Sequence, residues 1–226
     1  MIKAVLFDMD GVLYDSMPYH VQAWGETVLS LGMDSNPEDY YLYEGMTGGA
    51  TIDIFFNRAY GHGATDEEKE TIYARKAKRF VELNTIPKLM PGAKEVLEIV
   101  KRMGLKRVVV TGSGQPTLFG NLEKDYPGVF EKDLIVTSFD VKFGKPHPEP
   151  YLLGLKKAGI NAHEAIVVEN APLGIQSAVS AGIYTIAVNT GPLHDSVLKE
   201  AGANVIFSSM IALAESEFIV DFGSKH

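Results

Sequence analysis

Two aspartates, Asp8 and Asp10, stand two positions apart directly after the apolar run at residues 4–7. Carboxylates this close repel one another, so another group must offset the repulsion. Two more pairs of polar residues follow Val/Ile-rich runs: Thr111 and Ser113, and Glu169 and Asn170. Carboxylate and amide oxygens are ligands that Mg²⁺ prefers, and Mg²⁺ often bridges such ligands to a substrate phosphate. The residue types therefore predict a divalent-cation site that handles phosphate.

The elements that must position these residues are predicted by an alternation of apolar runs and helical patterns. Six segments have the nearly continuous apolar character of parallel strands buried on both faces: residues 4–7, 107–111, 134–137, 165–169, 184–188 and 204–207. Helical patterns lie between most of them, and several begin at Pro and end at Gly, as in residues 91–104. This alternation predicts a doubly wound α/β parallel sheet. Ligands bind beyond the carboxyl ends of the strands in such sheets, so the polar pairs should gather there.

Residues 16–84 interrupt the alternation with helical patterns alone. Thr65 and Glu68 form a capping box that should open one of these helices. We therefore predict an all-helical domain at 16–84, inserted into an α/β core domain made of 1–15 and 85–226.

The bulk composition excludes several classes of protein. The chain of 226 residues has no cysteine, so it has neither disulfides nor thiol chemistry, and its net charge of −8 argues against a nucleic-acid partner. Its apolar runs are too short to span a membrane. The segment before Asp8 is too short and the start too acidic for a signal peptide. We expect a cytoplasmic monomer that acts on a small phosphorylated molecule.

Four motifs occur in a fixed order: "DMDGV" (8–12), "VVVTGSG" (108–114), "GKPHPEPY" (144–151) and "VVENAPLGIQSAVSAG" (167–182). Together they resemble the haloacid dehalogenase-like (HAD) phosphatase superfamily, in its β-phosphoglucomutase-like branch. The resemblance covers essentially the whole chain, and the helical insert falls where that branch carries its cap.

The resemblance implies catalytic roles. Asp8 would be the nucleophile that forms an aspartyl phosphate. Asp10 would protonate the leaving oxygen and then take a proton from the attacking water. Thr111 would hold the transferring phosphoryl group, and Lys145 would neutralise its charge.

The resemblance also implies binding roles. The amides of Gly112 and Ser113 would hold phosphoryl oxygens. Mg²⁺ would be the cofactor, with its ligands drawn from Asp8, the backbone carbonyl of Asp10, Asn170 and the neighbouring Glu169.

The cap contributes candidates whose roles the sequence leaves open. His20 stands where relatives place a histidine near the acid–base aspartate, but it fits equally as an ordinary helix residue. Glu44 lies in the Gly-rich segment 43–49, where it could return a carboxylate to the metal or simply face solvent. Lys76 and Lys78 fit an exposed basic face, with one of them able to reach substrate.

Two departures from the family pattern bear on the substrate. Asn170 replaces the usual aspartate, so the site has one negative charge fewer and should repel a highly charged substrate less. Met46 replaces an arginine with which mutases of this branch grip a second phosphate. "ENAPLG" with the cap sequence "EGMTG" is similar to an inorganic pyrophosphatase subgroup. We therefore expect a Mg²⁺-dependent phosphohydrolase for pyrophosphate or a small phosphate monoester. A β-phosphoglucomutase and a non-catalytic phosphate-binding protein are the alternatives.

Overall fold

One parallel six-stranded sheet forms the centre of the protein, in a computed structural model that describes residues 1–114 and 118–225. The strand order is β3-β2-β1-β4-β5-β6, and every pairing is parallel. The strands are Ala4–Phe7 (β1), Lys106–Val110 (β2), Ile135–Val136 (β3), Ala165–Glu169 (β4), Tyr184–Val188 (β5) and Val205–Phe207 (β6). The predicted α/β fold class is confirmed.

The first strand lies at the point where the strand order reverses. Leu6 pairs with Val108 on one side and with Val167 on the other, so β1 has β2 and β4 as neighbours. Chain segments leaving the carboxyl ends of these three strands diverge and leave a crevice, which is the usual ligand position in open α/β sheets. Asp8 is the first residue after β1 and opens into this crevice.

Helices cover both faces of the sheet because alternate strand residues are apolar on both faces. Val5 and Phe7 pack into one core cluster, with Val96 of the helix at Ala93–Arg102. Leu6 packs into the opposite cluster with Tyr151. The helices outside residues 16–84 are Ala93–Arg102 (α5), Leu118–Asp125 (α6), Glu149–Ala158 (α7), Pro172–Ser180 (α8), Asp195–Glu200 (α9), Met210–Glu215 (α10) and Phe218–Lys225 (α11). None of the helices in the described ranges is long and apolar enough to cross a membrane.

Residues 16–84 contain helices Met17–Ser30 (α1), Pro37–Leu42 (α2), Gly48–Tyr60 (α3) and Asp66–Leu83 (α4), and no strand. They share an aromatic cluster of their own that includes Trp24, Tyr40 and Phe55. The Thr65–Glu68 capping box opens α4. The division into two domains with the boundaries given above stays a prediction.

Candidate active site

A buried ion-pair network lies at the end of β1. The Lys145 ammonium donates to Asp8 Oδ1 at 2.5 Å and to Glu169 Oε1 at 2.6 Å. All three side chains are buried. Burial raises the pKa of Asp8, whereas the Lys145 ammonium lowers it. Burial has the larger effect, and the pKa of Asp8 is raised to about 7. Burial lowers the pKa of Lys145, but the carboxylates of Asp8 and Glu169 more than offset this and raise it.

Glu169 is fully committed to hydrogen bonds within the protein. Besides Lys145, its Oε1 accepts from the Tyr151 hydroxyl at 2.9 Å. Its Oε2 accepts from the backbone amides of Asn170 at 2.8 Å and Ala171 at 3.0 Å. With four donors on its two oxygens, Glu169 is suited to positioning Lys145 and the turn after β4 rather than to binding a metal directly. Sequence reasoning missed Tyr151, although it stands in the same motif as Lys145.

Asn170 contacts Glu44, which lies in the helical segment 16–84. The Asn170 amide nitrogen donates to both oxygens of Glu44, at 3.0 and 3.1 Å. Only the NH₂ group of an amide can donate to a carboxylate, so the carbonyl oxygen Oδ1 faces elsewhere. That Oδ1 atom is buried and has no hydrogen-bond partner. Burial and then the charge of Asp8 raise the pKa of Glu44 well above its usual value, against the opposing effect of Asn170.

These observations fit a hard cation. An orphaned buried carbonyl oxygen is costly unless something binds it, and a carboxylate whose pKa is raised gains from a nearby positive charge. Within the described residues, no three acidic or imidazole side chains form a ready-made metal cluster. A cation here would therefore depend on oxygens of mixed type, which could be supplied by Asp8, Glu44, Asn170 Oδ1 and the backbone carbonyl of Asp10.

Asp10 heads a chain of contacts into the cap. Its Oδ1 accepts from the Ser16 hydroxyl at 2.5 Å and lies 3.2 Å from His20 Nε2. The Lys76 ammonium is 2.6 Å from His20 Nδ1. An ammonium only donates, so Nδ1 is the acceptor and a neutral His20 carries its proton on Nε2, facing Asp10.

Burial has the largest single effect on the pKa values of Asp10, His20 and Lys76. Burial raises the pKa of Asp10, but the stronger combined effects of His20 and Ser16 lower it to about 2. Burial, followed by Lys76, lowers the pKa of His20. Burial also lowers the pKa of Lys76, to about 8.

The predicted phosphate loop follows β2. Its Ser113 amide donates to Thr111 Oγ1 at 3.0 Å, and Ser113 Oγ is buried without a partner. A Cβ at Gly112 would lie 2.6 Å from the Gly45 carbonyl oxygen of the cap. Only glycine therefore allows the cap to approach this closely.

A cavity of about 70 Å³ lies between these groups. Core and cap both line it, chiefly through Asp8, Asp10, Thr111, Gly112, Ser113, His20, Trp24, Glu44, Tyr73 and Lys76. Met46 also lines it and brings no charge. Lys78 is exposed and is not among the lining residues. The structure thus brings all the predicted site residues together, with Glu169 and Lys145 buried behind the cavity, while their catalytic and binding roles stay predictions.

Residues 2–182 match the family model described as haloacid dehalogenase-like hydrolase. The chain belongs to this family. It is 31% identical over 222 residues to the phosphorylated carbohydrates phosphatase of Thermotoga maritima, and the aligned region covers 97% of each chain. It is 32% identical over 200 residues to hexitol phosphatase A of Escherichia coli, and the aligned region covers 83% of each chain. The chain is therefore an enzyme of the HAD phosphatase type.

Solved structures support the branch as well as the family. A putative β-phosphoglucomutase from Bacteroides vulgatus is 49% identical, with a TM-score of 0.94 over 100% of this chain and 91% of that one. A β-phosphoglucomutase from Clostridium difficile is 26% identical, with a TM-score of 0.84 over 100% and 98%. The predicted resemblance to the β-phosphoglucomutase-like branch is confirmed.

Proposed function

We propose that this HAD enzyme is a Mg²⁺-dependent phosphohydrolase that uses Asp8 as its nucleophile and acts on inorganic pyrophosphate or a small phosphate monoester. The observation that carries the substrate class is the size of the cavity. At about 70 Å³ it holds only about five to seven water-sized spheres of roughly 10–15 Å³ each. Two phosphoryl groups suit this space better than a phosphoryl group with a hexose ring.

The proposed reaction has two displacements at phosphorus. An Asp8 oxygen bonds to phosphorus as the bond to the leaving oxygen breaks. Asp10 is ionised in the free site, so it would first take a proton from the bound, protonated substrate and then pass this proton to the leaving oxygen. Water then attacks the aspartyl phosphate, Asp10 takes one of its protons, and free Asp8 and phosphate result. Lys145, 2.5 Å from Asp8, offsets the negative charge that the transferred group brings.

Thr111 and the amides of Gly112 and Ser113 would orient the phosphoryl oxygens. Ser113 Oγ, which is buried and unpaired, is free to donate to one of them. His20 would hold Asp10 in place from the cap side, because its Nε2 is 3.2 Å from the carboxylate.

Asp8, Asp10, Asn170 and Glu44 would hold the Mg²⁺, which when bound supplies positive charge to neutralise the phosphoryl oxygens. Glu169 would not bind the metal itself. It would position Lys145 and the backbone of the turn after β4 through its hydrogen bonds. Asn170 gives this site one formal negative charge fewer than an aspartate would. A highly charged substrate such as pyrophosphate is therefore repelled less.

A second candidate function is hydrolysis of sugar phosphates. The names of the relatives from Thermotoga maritima and Escherichia coli favour it. It requires a cap position that leaves more room than the closed arrangement described here. A β-phosphoglucomutase activity is favoured by the Bacteroides vulgatus neighbour, but the uncharged Met46 offers no grip for a second phosphate in the cavity.

The test is Mg²⁺-dependent phosphate release across pyrophosphate, hexose phosphates and small monoesters, with Asp8→Asn as the matched control. We expect pyrophosphate or a small monoester to have the highest kcat/KM and the control to be inactive. Higher kcat/KM for hexose phosphates would establish the second candidate instead. Isomerisation of β-glucose 1-phosphate that depends on glucose 1,6-bisphosphate, without hydrolysis, would establish the mutase.

A further inference from the structure

Tyr151 contacts both partners of the buried ion pair between Lys145 and Glu169, although the proposed reaction gives it no role. Its hydroxyl donates to Glu169 Oε1 at 2.9 Å. The Lys145 ammonium lies 5.1 Å from the centroid of the Tyr151 ring, within the range of a cation–π contact. Tyr151 stands in the first turn of α7 and is fully buried. One side chain therefore contacts the lysine with its ring and the glutamate with its hydroxyl.

The sheet holds the Tyr151 ring in place. The ring packs in the same core cluster as Leu6 of β1 and Val167 of β4. These two strands carry the carboxylates of the ion-pair network, because Asp8 directly follows β1 and Glu169 is the last residue of β4. The Tyr151 hydroxyl is thus fixed relative to both carboxylates.

The two oxygens of Glu169 are held by different kinds of donor. Oε2 accepts from backbone amides, whereas Oε1 accepts from two side chains, Lys145 and Tyr151. A Cβ at Gly174 would lie 1.7 Å from Oε1, so the carboxylate lies directly against the backbone of α8. The Tyr151 hydroxyl therefore shares with Lys145 an oxygen that has little room to move.

This sharing affects the direction of the Lys145 ammonium. An ammonium has three N–H donors. One points to Asp8 Oδ1 at 2.5 Å and another to Glu169 Oε1 at 2.6 Å. Since the three N–H bonds are tetrahedral about the nitrogen, these two contacts fix the direction of the third. Without the Tyr151 hydroxyl, Oε1 would lose a donor and draw the ammonium toward Glu169 and away from Asp8.

We propose that Tyr151 is a positioning residue for the reaction, because its hydroxyl on Glu169 holds the Lys145 ammonium where it neutralises the phosphoryl group on Asp8. This inference rests on the proposed function, which gives Lys145 that role, but it holds for any phosphorylated substrate of the site. A contact with charge that develops in the transition state contributes to kcat rather than to KM. Loss of the hydroxyl should therefore lower kcat and leave KM nearly unchanged.

The experiment measures kcat and KM at saturating Mg²⁺ for pyrophosphate and glucose 6-phosphate, in the wild type and in Tyr151→Phe, which keeps the ring. On the substrate that the wild type prefers, we expect kcat to fall about tenfold and KM to stay within about twofold, because a small displacement of a catalytic group is costly. Tyr151→Met, which also lacks the hydroxyl and has an adaptable side chain, replaces the phenylalanine variant if thermal unfolding shows that the latter is not folded.

Thr185→Val is the matched control. The Thr185 hydroxyl is also fully buried and donates to the Ile183 carbonyl oxygen at 3.0 Å, but it lies near the start of β5, at the end of the sheet away from the site. Thr185→Val should keep the wild-type kcat and KM.

The two ways of failing are distinguishable. If folded Tyr151→Phe loses no more kcat than Thr185→Val, or changes KM instead of kcat, the role of Tyr151 is wrong and the proposed function stands. If the wild type releases no phosphate from either substrate, or Asp8→Asn is as active as the wild type, the proposed function is wrong and this inference is wrong with it.

Discussion

Replacing Lys76 by methionine should stabilise the protein while impairing its activity. The Lys76 ammonium is buried, lies 5.2 Å from the ring centroids of both Trp24 and Phe80, and is 2.6 Å from His20 Nδ1. Burial lowers its pKa from 10.5 to about 8, so the native fold disfavours the charged form. Methionine fills a similar volume without a charge.

The magnitude follows from the shift in the pKa of Lys76. At 1.36 kcal/mol per unit, a change from 10.5 to about 8 corresponds to about 3 kcal/mol of destabilisation at pH 7. Lys76→Met also removes the hydrogen bond to His20, and this loss lowers the stability of the variant by about 1 kcal/mol. We therefore expect Lys76→Met to raise the free energy of unfolding by about 2 kcal/mol at pH 7.

The sign of the pH dependence is fixed by proton binding. Between pH 8 and pH 10.5 the unfolded chain still binds the Lys76 proton, whereas the native chain has released it. The stability contributed by Lys76 therefore rises with pH across this window, and the destabilisation is complete only below it. The advantage of Lys76→Met at pH 7 should shrink above pH 8 and vanish near about pH 10, where the remaining penalty equals the lost hydrogen bond.

Urea unfolding of the wild type and Lys76→Met at pH 7, 8, 9 and 10 measures this difference. Lys78→Met is the control, because Lys78 is exposed on the same helix and its removal should shift stability little at any pH. A difference between Lys76→Met and the wild type that does not change from pH 7 to pH 10 would refute the reasoning. Phosphate release by Lys76→Met should fall, because a positive charge beside His20 and Asp10 is lost.

Three further predictions concern the core side of the site. Asn170→Asp should lower the Mg²⁺ concentration for half-maximal phosphate release and reduce the preference for pyrophosphate; a higher Mg²⁺ requirement would contradict the charge argument. Tyr151→Phe removes one hydrogen bond to the Glu169 carboxylate and should lower the free energy of unfolding by about 1.5 kcal/mol, a fall in Tm of roughly 4 °C by calorimetry. An unchanged Tm would show that Lys145 and the two backbone amides hold Glu169 without the Tyr151 hydroxyl. Gly11→Ala should reduce both stability and phosphate release, because Gly11 has a φ of 79° and an added Cβ would overlap the Asn170 amide.

The sheet was predictable because its strands are buried on both faces and therefore carry runs of Val and Ile. The weakest prediction was β3, expected over 134–137 and observed at Ile135–Val136 only, with Leu134 in a short 3₁₀ turn. An edge strand has one neighbour, so pairing ends earlier than the apolar pattern does. The short helix α2 was not predicted, because six residues give too little periodicity to detect.

The strand-end residues of the site were predictable, whereas those brought in by tertiary packing were harder to identify. The sequence did not show which of Lys76 and Lys78 reaches the substrate, yet only Lys76 is buried in the site. The i, i+4 spacing of Ile72, Lys76 and Phe80 could have predicted the burial of Lys76, since it places this residue on the apolar face of α4. Tyr151 stands in the same motif as Lys145, but nothing in that motif predicts its hydrogen bond to Glu169, which is 18 residues away in sequence.

The charges gathered in the site support the proposed binding of a magnesium ion. Four carboxylates and two ammonium groups lie in or directly behind the cavity: Asp8, Asp10, Glu44, Glu169, Lys145 and Lys76. With all six ionised, two negative charges remain uncompensated in a buried space, and the raised pKa of Glu44 is one result. A divalent cation would balance them. Because Glu44 is the cap residue that holds the amide of Asn170, balancing this charge also favours closure of the cap over the core.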